Sequence, residues 1–196
     1  MKIDLNLQEG TSGVWELKKF SVTKEEARNH ALRCAINGYS ERAIQEGEYW
    51  KITRNGYIVM SNTPAEINDH INFIRAAKGK VLIAGLGLGM VLQEVLKKDS
   101  VTKVTVVEIS KDVINLVAKS YQDPRLEIVN EDIFNFKPTE HYDFGWYDIW
   151  DDISGDEYEE MKKITRKLSR FVSKSDCWCK NESKKRAKYE ACSRLF

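Results

Sequence analysis

Hydrophobic positions along the chain fall into two rhythms that alternate from the middle of the sequence onward. Residues 81–84 are a consecutive apolar run, Val-Leu-Ile-Ala, followed by Gly85, Gly87 and Gly89 and then by helical spacing at Met90, Val91, Val95 and Leu96. The run predicts a central parallel strand buried on both faces, and the change of period predicts a helix. The same rhythm returns at 103–110, Lys-Val-Thr-Val-Val-Glu-Ile-Ser, where Ser110 is placed to cap a helix carrying Val113, Ile114, Leu116 and Val117. A short third strand is expected at 125–129, and a fourth over 142–152 ends among acids and aromatics. A helix over 155–171 follows, with Tyr158, Met161, Ile164, Leu168 and Phe171 on one face. Residues 175–180 read as a fifth strand and 182–192 as a basic helix.

The first 76 residues read differently. Thr23 and Glu26 fit a capping box that opens a helix through about Ile36, and a second helical stretch is expected at 40–45. Two β-rich runs within 49–60 flank Asn55-Gly56, the strongest short-range signal for a hairpin. Pro64 then starts a helix with Ile67, Ile71 and Ile74 at helical spacing. The first ten residues carry no clear pattern and are expected to be loosely held. The chain thus divides into an N-terminal extension, 1–76, and an α/β domain, 77–196.

Composition narrows the class. At 196 residues the chain can bury a core without staples, and its net charge of +1 gives no global attraction to nucleic acid. Four cysteines show no disulfide framework, no metal spacing is present, and neither a secretory segment nor a membrane span is expected, so the reading is cytoplasmic. Charge is unevenly placed. Residues 131–160 hold 11 acids and one base, whereas 161–196 hold 12 bases and three acids. The acidic stretch favours a small cationic acceptor such as an amine. The basic tail, including Lys184-Lys185-Arg186, reads as a solvated helix face and leaves nucleic acid open as a partner.

The glycine spacing bears on cofactor type. A dinucleotide fold uses G-x-G-x-x-G, whereas Gly85, Gly87 and Gly89 form G-x-G-x-G. The missing Cβ atoms would allow a nucleotide-like ligand to approach. Glu108 follows Gly89 by 19 residues, near the offset of a ribose-binding carboxylate, and Ile109 lies beside it. This segment resembles the first motif of class I S-adenosylmethionine (SAM) methyltransferases. That resemblance implies a Rossmann-like, doubly wound, mostly parallel sheet. It also implies an adenine contact at Asp132, with Ile133 as an apolar wall.

From the hairpin to Asp152, about half the chain, the pattern is closest to the spermidine synthase-like branch. Asp148-Ile149-Trp150-Asp151 matches that family's D-x-x-D. The resemblance implies that Asp148 deprotonates an attacking amine and Asp151 holds the amine chain, with Asp148 also near the cofactor. Trp146, Tyr147, Trp150 and Tyr158 are expected to wall the pocket. The chain has Leu88 where the family has an acid, and Ile67-Asn68-Asp69-His70 where it has a Tyr-Gln pair. It also leaves no room for the final antiparallel strands, so an exposed sheet edge and a homodimer covering it are expected. The first functional reading is therefore SAM-dependent methyl transfer to a small acceptor. Aminopropyl transfer from decarboxylated SAM is the alternative, and SAM binding or consumption without group transfer is the third.

Overall fold

The computed structural model describes residues 3–151 and 153–193, so Asp152 lies outside the described residues. Strands β1 (Gly10–Ser12), β2 (Trp15–Val22), β3 (Gly47–Arg54) and β4 (Tyr57–Ser61) form an antiparallel sheet in that order. Strands β5 (Gly79–Ala84), β6 (Val101–Glu108), β7 (Leu126–Asn130), β8 (Tyr142–Tyr147) and β9 (Val172–Cys177) form a parallel sheet ordered β7-β6-β5-β8-β9. The helices are α1 (Lys24–Ile36), α2 (Pro64–Ala76), α3 (Met90–Leu96), α4 (Lys111–Val117), α5 (Gly155–Leu168) and α6 (Lys180–Ser193). The chain first steps outward from β5 to β7 and then returns to β5's other side as β8. Open α/β sheets bind ligands at such a reversal, beyond the carboxyl ends of the strands.

Local chemistry explains most element ends. Asn55 (φ 51°) and Gly56 (φ 81°) supply the two left-handed residues that a tight hairpin between β3 and β4 requires. The Thr23–Glu26 capping box forms at the start of α1, and the Ser110 hydroxyl accepts from the Val113 N–H at the start of α4. A further capping box, Ser154 with Glu157, starts α5.

Alternation along β5 sends Val81 and Ile83 to one side of the sheet and Leu82 and Ala84 to the other, where two separate apolar clusters form. One contains Met161, Ile164 and Leu168 of α5. The other joins Ile83 and Val106 to Ile67 of α2 and to Leu17 and Ile52 of the antiparallel sheet. The N-terminal extension is therefore packed into the α/β core, across the boundary drawn at residue 76.

Several expectations are corrected. Ile3 and Leu5 are buried, and their carbonyls accept from the Asn62 amide (3.1 Å) and the Trp50 indole (3.2 Å), so residues 3–5 are held down. β1 and β2 went unread because β2, Trp-Glu-Leu-Lys-Lys-Phe-Ser-Val, lacks clean alternation: Leu17 faces the core while Phe20 points to the opposite face. α1 buries none of its residues, and Ser40–Arg42 is a single 3₁₀ turn. On α2, His70 is buried at the place expected of Ile71. β9 begins three residues earlier than expected. Among the described residues, no helix is long and apolar enough to cross a membrane.

Candidate active site

The carboxyl ends of β5 to β8 surround a cavity of about 310 Å³, within the size range of small-molecule sites. Its walls bring together Gly85, Gly87, Glu108, Ile109, Asp132, Ile133, Asp148 and Asp151. Gly89 lies outside these walls and opens α3 with φ 73°.

The glycine turn is shaped first by the protein itself. A Cβ on Gly85 (φ 91°) would fall 2.0 Å from the Asp148 carbonyl oxygen, one on Gly87 (φ 49°) 2.5 Å from Met60 Sδ, and one on Gly89 against the Tyr121 ring. Met60 Sδ also accepts from the Leu88 N–H at 3.4 Å, and the Tyr121 hydroxyl donates to the Leu88 carbonyl at 2.8 Å. The expectation that the missing Cβ atoms leave room for a ligand is thereby corrected. That space is occupied by the chain's own β8 end, β4 and the segment after α4. Leu88 itself is fully buried.

Glu108 ends β6 with its carboxylate turned back onto this turn. Oε2 accepts from the Leu86 N–H at 2.8 Å and Oε1 from the Ser110 N–H at 2.7 Å. Burial raises its pKa while these backbone donors pull the other way. Each oxygen retains acceptor capacity toward the cleft. Asp132 starts a turn, its Oδ1 accepting from the Phe134 N–H at 2.8 Å. Ile109 is exposed at the rim and Ile133 is buried beneath it.

The other end of the cleft is built from distant parts of the chain. The Asp148 N–H donates to the Ala84 carbonyl at 2.9 Å, continuing the β5–β8 pairing. Its carboxyl group is pushed up to about pKa 8, first by burial and then by the charges of Glu66, Asp69 and Asp151. Asp151 is ion-paired with Arg54 from the tip of β3, whose guanidinium lies 5.5 Å from the Trp15 ring centre. Of the aromatics expected to wall the pocket, Trp150 does so, its indole donating to Glu160 at 2.9 Å. Trp146 instead stacks on Phe73 at 5.1 Å beside a separate cavity of about 10 Å³. Tyr147 is fully buried on the α5 side, and Tyr158 carries the Lys162 ammonium 5.2 Å over its ring.

Trp15, Arg54, Met60 and His70 were not foreseen as site residues. Only His70 carried a signal, because it sits three residues from Ile67 and four from Ile74, on one helix face.

A reversal-point cleft lined by a glycine turn and strand-end carboxylates lies at the carboxyl edge of an open α/β sheet. A family model described as the spermine/spermidine synthase domain matches residues 66–184, more than half of the sequence, and the chain belongs to that family. A polyamine aminopropyltransferase of Hydrogenobaculum sp. is 48% identical over 63 residues, covering 29% of this chain and 22% of that enzyme. The Aeropyrum pernix polyamine aminopropyltransferase is 40% identical over 65 residues, covering 29% and 21%. These alignments span about a fifth of the relatives' length. Among solved structures, the spermidine synthase of Thermotoga maritima is 23% identical, covering 78% of this chain and 50% of its own, with a TM-score of 0.43.

Proposed function

We propose that this chain transfers an aminopropyl group from decarboxylated SAM to an amine. The observation that carries this reading is the buried carboxyl group of Asp148 at the head of the cleft, with Glu66, Asp69 and Asp151 around it. Such a concentration of acids suits a cationic acceptor and repels an anionic one. The family match and the names of the two relatives support the same reading over methyl transfer.

The cleft residues fit the donor. Glu108 has acceptor capacity left for two ribose hydroxyls, Asp132 could accept from an adenine amino group, and Ile109 and Ile133 offer apolar walls. When bound, the sulfonium supplies a carbon already activated for displacement, so the protein's work is orientation and exclusion of water. Asp148 accepts the proton that the acceptor ammonium must lose before its nitrogen lone pair can form the new C–N bond as the C–S bond of the donor breaks. With a pKa near 8 the carboxyl is largely protonated at neutral pH and becomes a base as pH rises. The acceptor amine deprotonates in the same direction, so both effects make turnover climb on the alkaline side.

A second reading, methyl transfer from SAM itself, is favoured by Arg54. Its guanidinium lines the cleft and could pair with the donor carboxylate that decarboxylated SAM lacks. Incubating the protein with each donor and a linear diamine tests the two. Methylthioadenosine as by-product supports aminopropyl transfer, and S-adenosylhomocysteine supports methyl transfer. Donor binding by calorimetry without either product would leave the non-transferring reading.

A further inference from the structure

Asp148 has a neighbour for which aminopropyl transfer, as set out above, has no use. His70 on α2 is only 1% exposed, and its ring meets the Trp146 ring edge-on at 5.6 Å. Its Nε2 lies 3.8 Å from Asp148 Oδ2, while its Nδ1 is buried without a hydrogen-bond partner among the described residues. An apolar side chain would fill this position without burying an unpaired nitrogen, which costs on the order of 1–3 kcal/mol. Ile67 and Ile74 show that the same helix face is otherwise apolar. Both His70 and Asp148 border the cavity of about 10 Å³, which has room for roughly one water molecule. The helix thus turns one buried ring nitrogen, Nε2, toward the carboxyl group just after β8.

We propose that His70 is a positioning residue for Asp148: its Nε2–H, 3.8 Å from Oδ2 in the ligand-free chain, closes on that oxygen as the carboxyl ionises and leaves the other oxygen to take the acceptor's proton. This inference rests on Asp148 being the base. Burial holds the imidazole pKa down to about 4, so at working pH the ring carries one N–H and no charge. A neutral donor favours the ionised carboxyl and offsets part of what its other neighbours do. Those neighbours are Glu66 and Asp69 on α2, Asp151 in its own loop, and the Cys177 and Cys179 thiols at the end of β9. Asp69 is itself held by two Arg42 bonds of 3.1 Å, Glu66 by Ser61, and Asp151 by Arg54. Both thiols are pushed well above neutrality by burial and remain uncharged.

The test follows the Asp148 carboxyl carbon by ¹³C NMR across pH in the ligand-free full chain. His70→Leu, which keeps volume but no donor, should raise the titration midpoint by about one unit. His70→Gln, whose amide can still donate, should stay close to the parent. An unmoved midpoint in folded His70→Leu, or equal shifts in both variants, would overturn the proposal. Should His70→Leu fail to fold, the imidazole ¹⁵N shifts of the parent decide. An Nε2–H tautomer that titrates in step with Asp148, and loses that response in Asp148→Asn, supports the pair; an Nδ1–H tautomer or no response overturns it. These readouts need neither donor nor acceptor. Failure of the transfer reading would appear as absent turnover with the NMR response intact, and failure of the His70 role as the reverse.

Discussion

The two ends of the cleft hold their carboxylates by opposite means. Glu108 receives two backbone N–H groups at 2.7 and 2.8 Å, one from the turn before it in space and one from the residue two positions on. Asp148 has no hydrogen bond to its carboxyl among the described residues, and its company is three other acids and an uncharged histidine at 3.8 Å. One carboxylate is thus fixed by peptide dipoles and suited to steady ligand holding. The other is favoured in its neutral form by burial and by the acids around it, which suits a group that must change its proton during a reaction.

The sharpest way to break this comparison is to remove the carboxylate proposed as the proton acceptor. Asp148→Asn should lower turnover by about 10²–10⁴-fold, the usual contribution of a positioned base, while donor affinity by calorimetry changes little. Parent-like turnover in this variant would move the role to Asp151.

Next in size is the dependence of stability on pH. The folded pKa of Asp148, about 8, lies above the ordinary carboxylate value, so its neutral form is favoured by folding. The stability it contributes is fully present below about pH 4 and is lost as pH rises through 8. Glu66 and Glu108 are raised as well and act in the same direction, whereas His70, held down to about 4, adds stability as pH rises from 4 to about 6.5. Below about pH 6.5 the His70 gain opposes the Asp148 loss, so the net fall in urea midpoint should lie between pH 6.5 and 9, by the equivalent of about 2 kcal/mol, and Asp148→Asn should flatten part of that slope. A parent midpoint that rises over this range would show that Asp148 is ionised in the native protein.

Glu108→Ala comes third. It should weaken donor binding by about 1.5–3 kcal/mol, the range for hydrogen bonds to a charged group, with Glu108→Gln intermediate. Because the two backbone donors also lose their acceptor, melting must be measured alongside to separate binding from loosening of the turn. Unchanged affinity in folded Glu108→Ala would confine this carboxylate to a structural role.

The same division separates what could be read from the chain and what could not. β5, β6, β8 and their helices announced themselves through apolar runs, Gly85 and the Ser110 cap, because each of these signals lies within a few residues of the element it specifies. Glu108 was legible for that reason. At the Asp148 end, the motif spacing pointed to the acids but not to their surroundings. His70 arrives from α2 and Arg54 from a hairpin tip 97 residues before Asp151. β2, the strand on which that hairpin is paired, has no regular alternation to reveal it. Even the glycines illustrate the limit: their spacing was plain, yet their need for φ above zero beside Met60, Tyr121 and the Asp148 carbonyl depends on contacts no local pattern encodes.

The smallest expected effect lies where the two sheets meet. Arg54 and Asp151 are both more than 40% exposed at their side chains, and exposed ion pairs contribute about 0.2–1 kcal/mol. Arg54→Ala should thus barely lower the urea midpoint, and even that loss should shrink in high salt. Its consequence for ligands is more informative. With Arg54 gone, Asp151 regains a free negative charge at the cleft mouth, and the cleft loses its cation. Affinity for decarboxylated SAM should rise by a few-fold relative to SAM, whose carboxylate the new charge would repel. The ratio of the two dissociation constants, taken by calorimetry at low salt, measures this directly. A ratio that does not move would mean that Arg54 only ties the antiparallel sheet to the β8 loop, and the case it makes for a carboxylate-bearing donor would be gone.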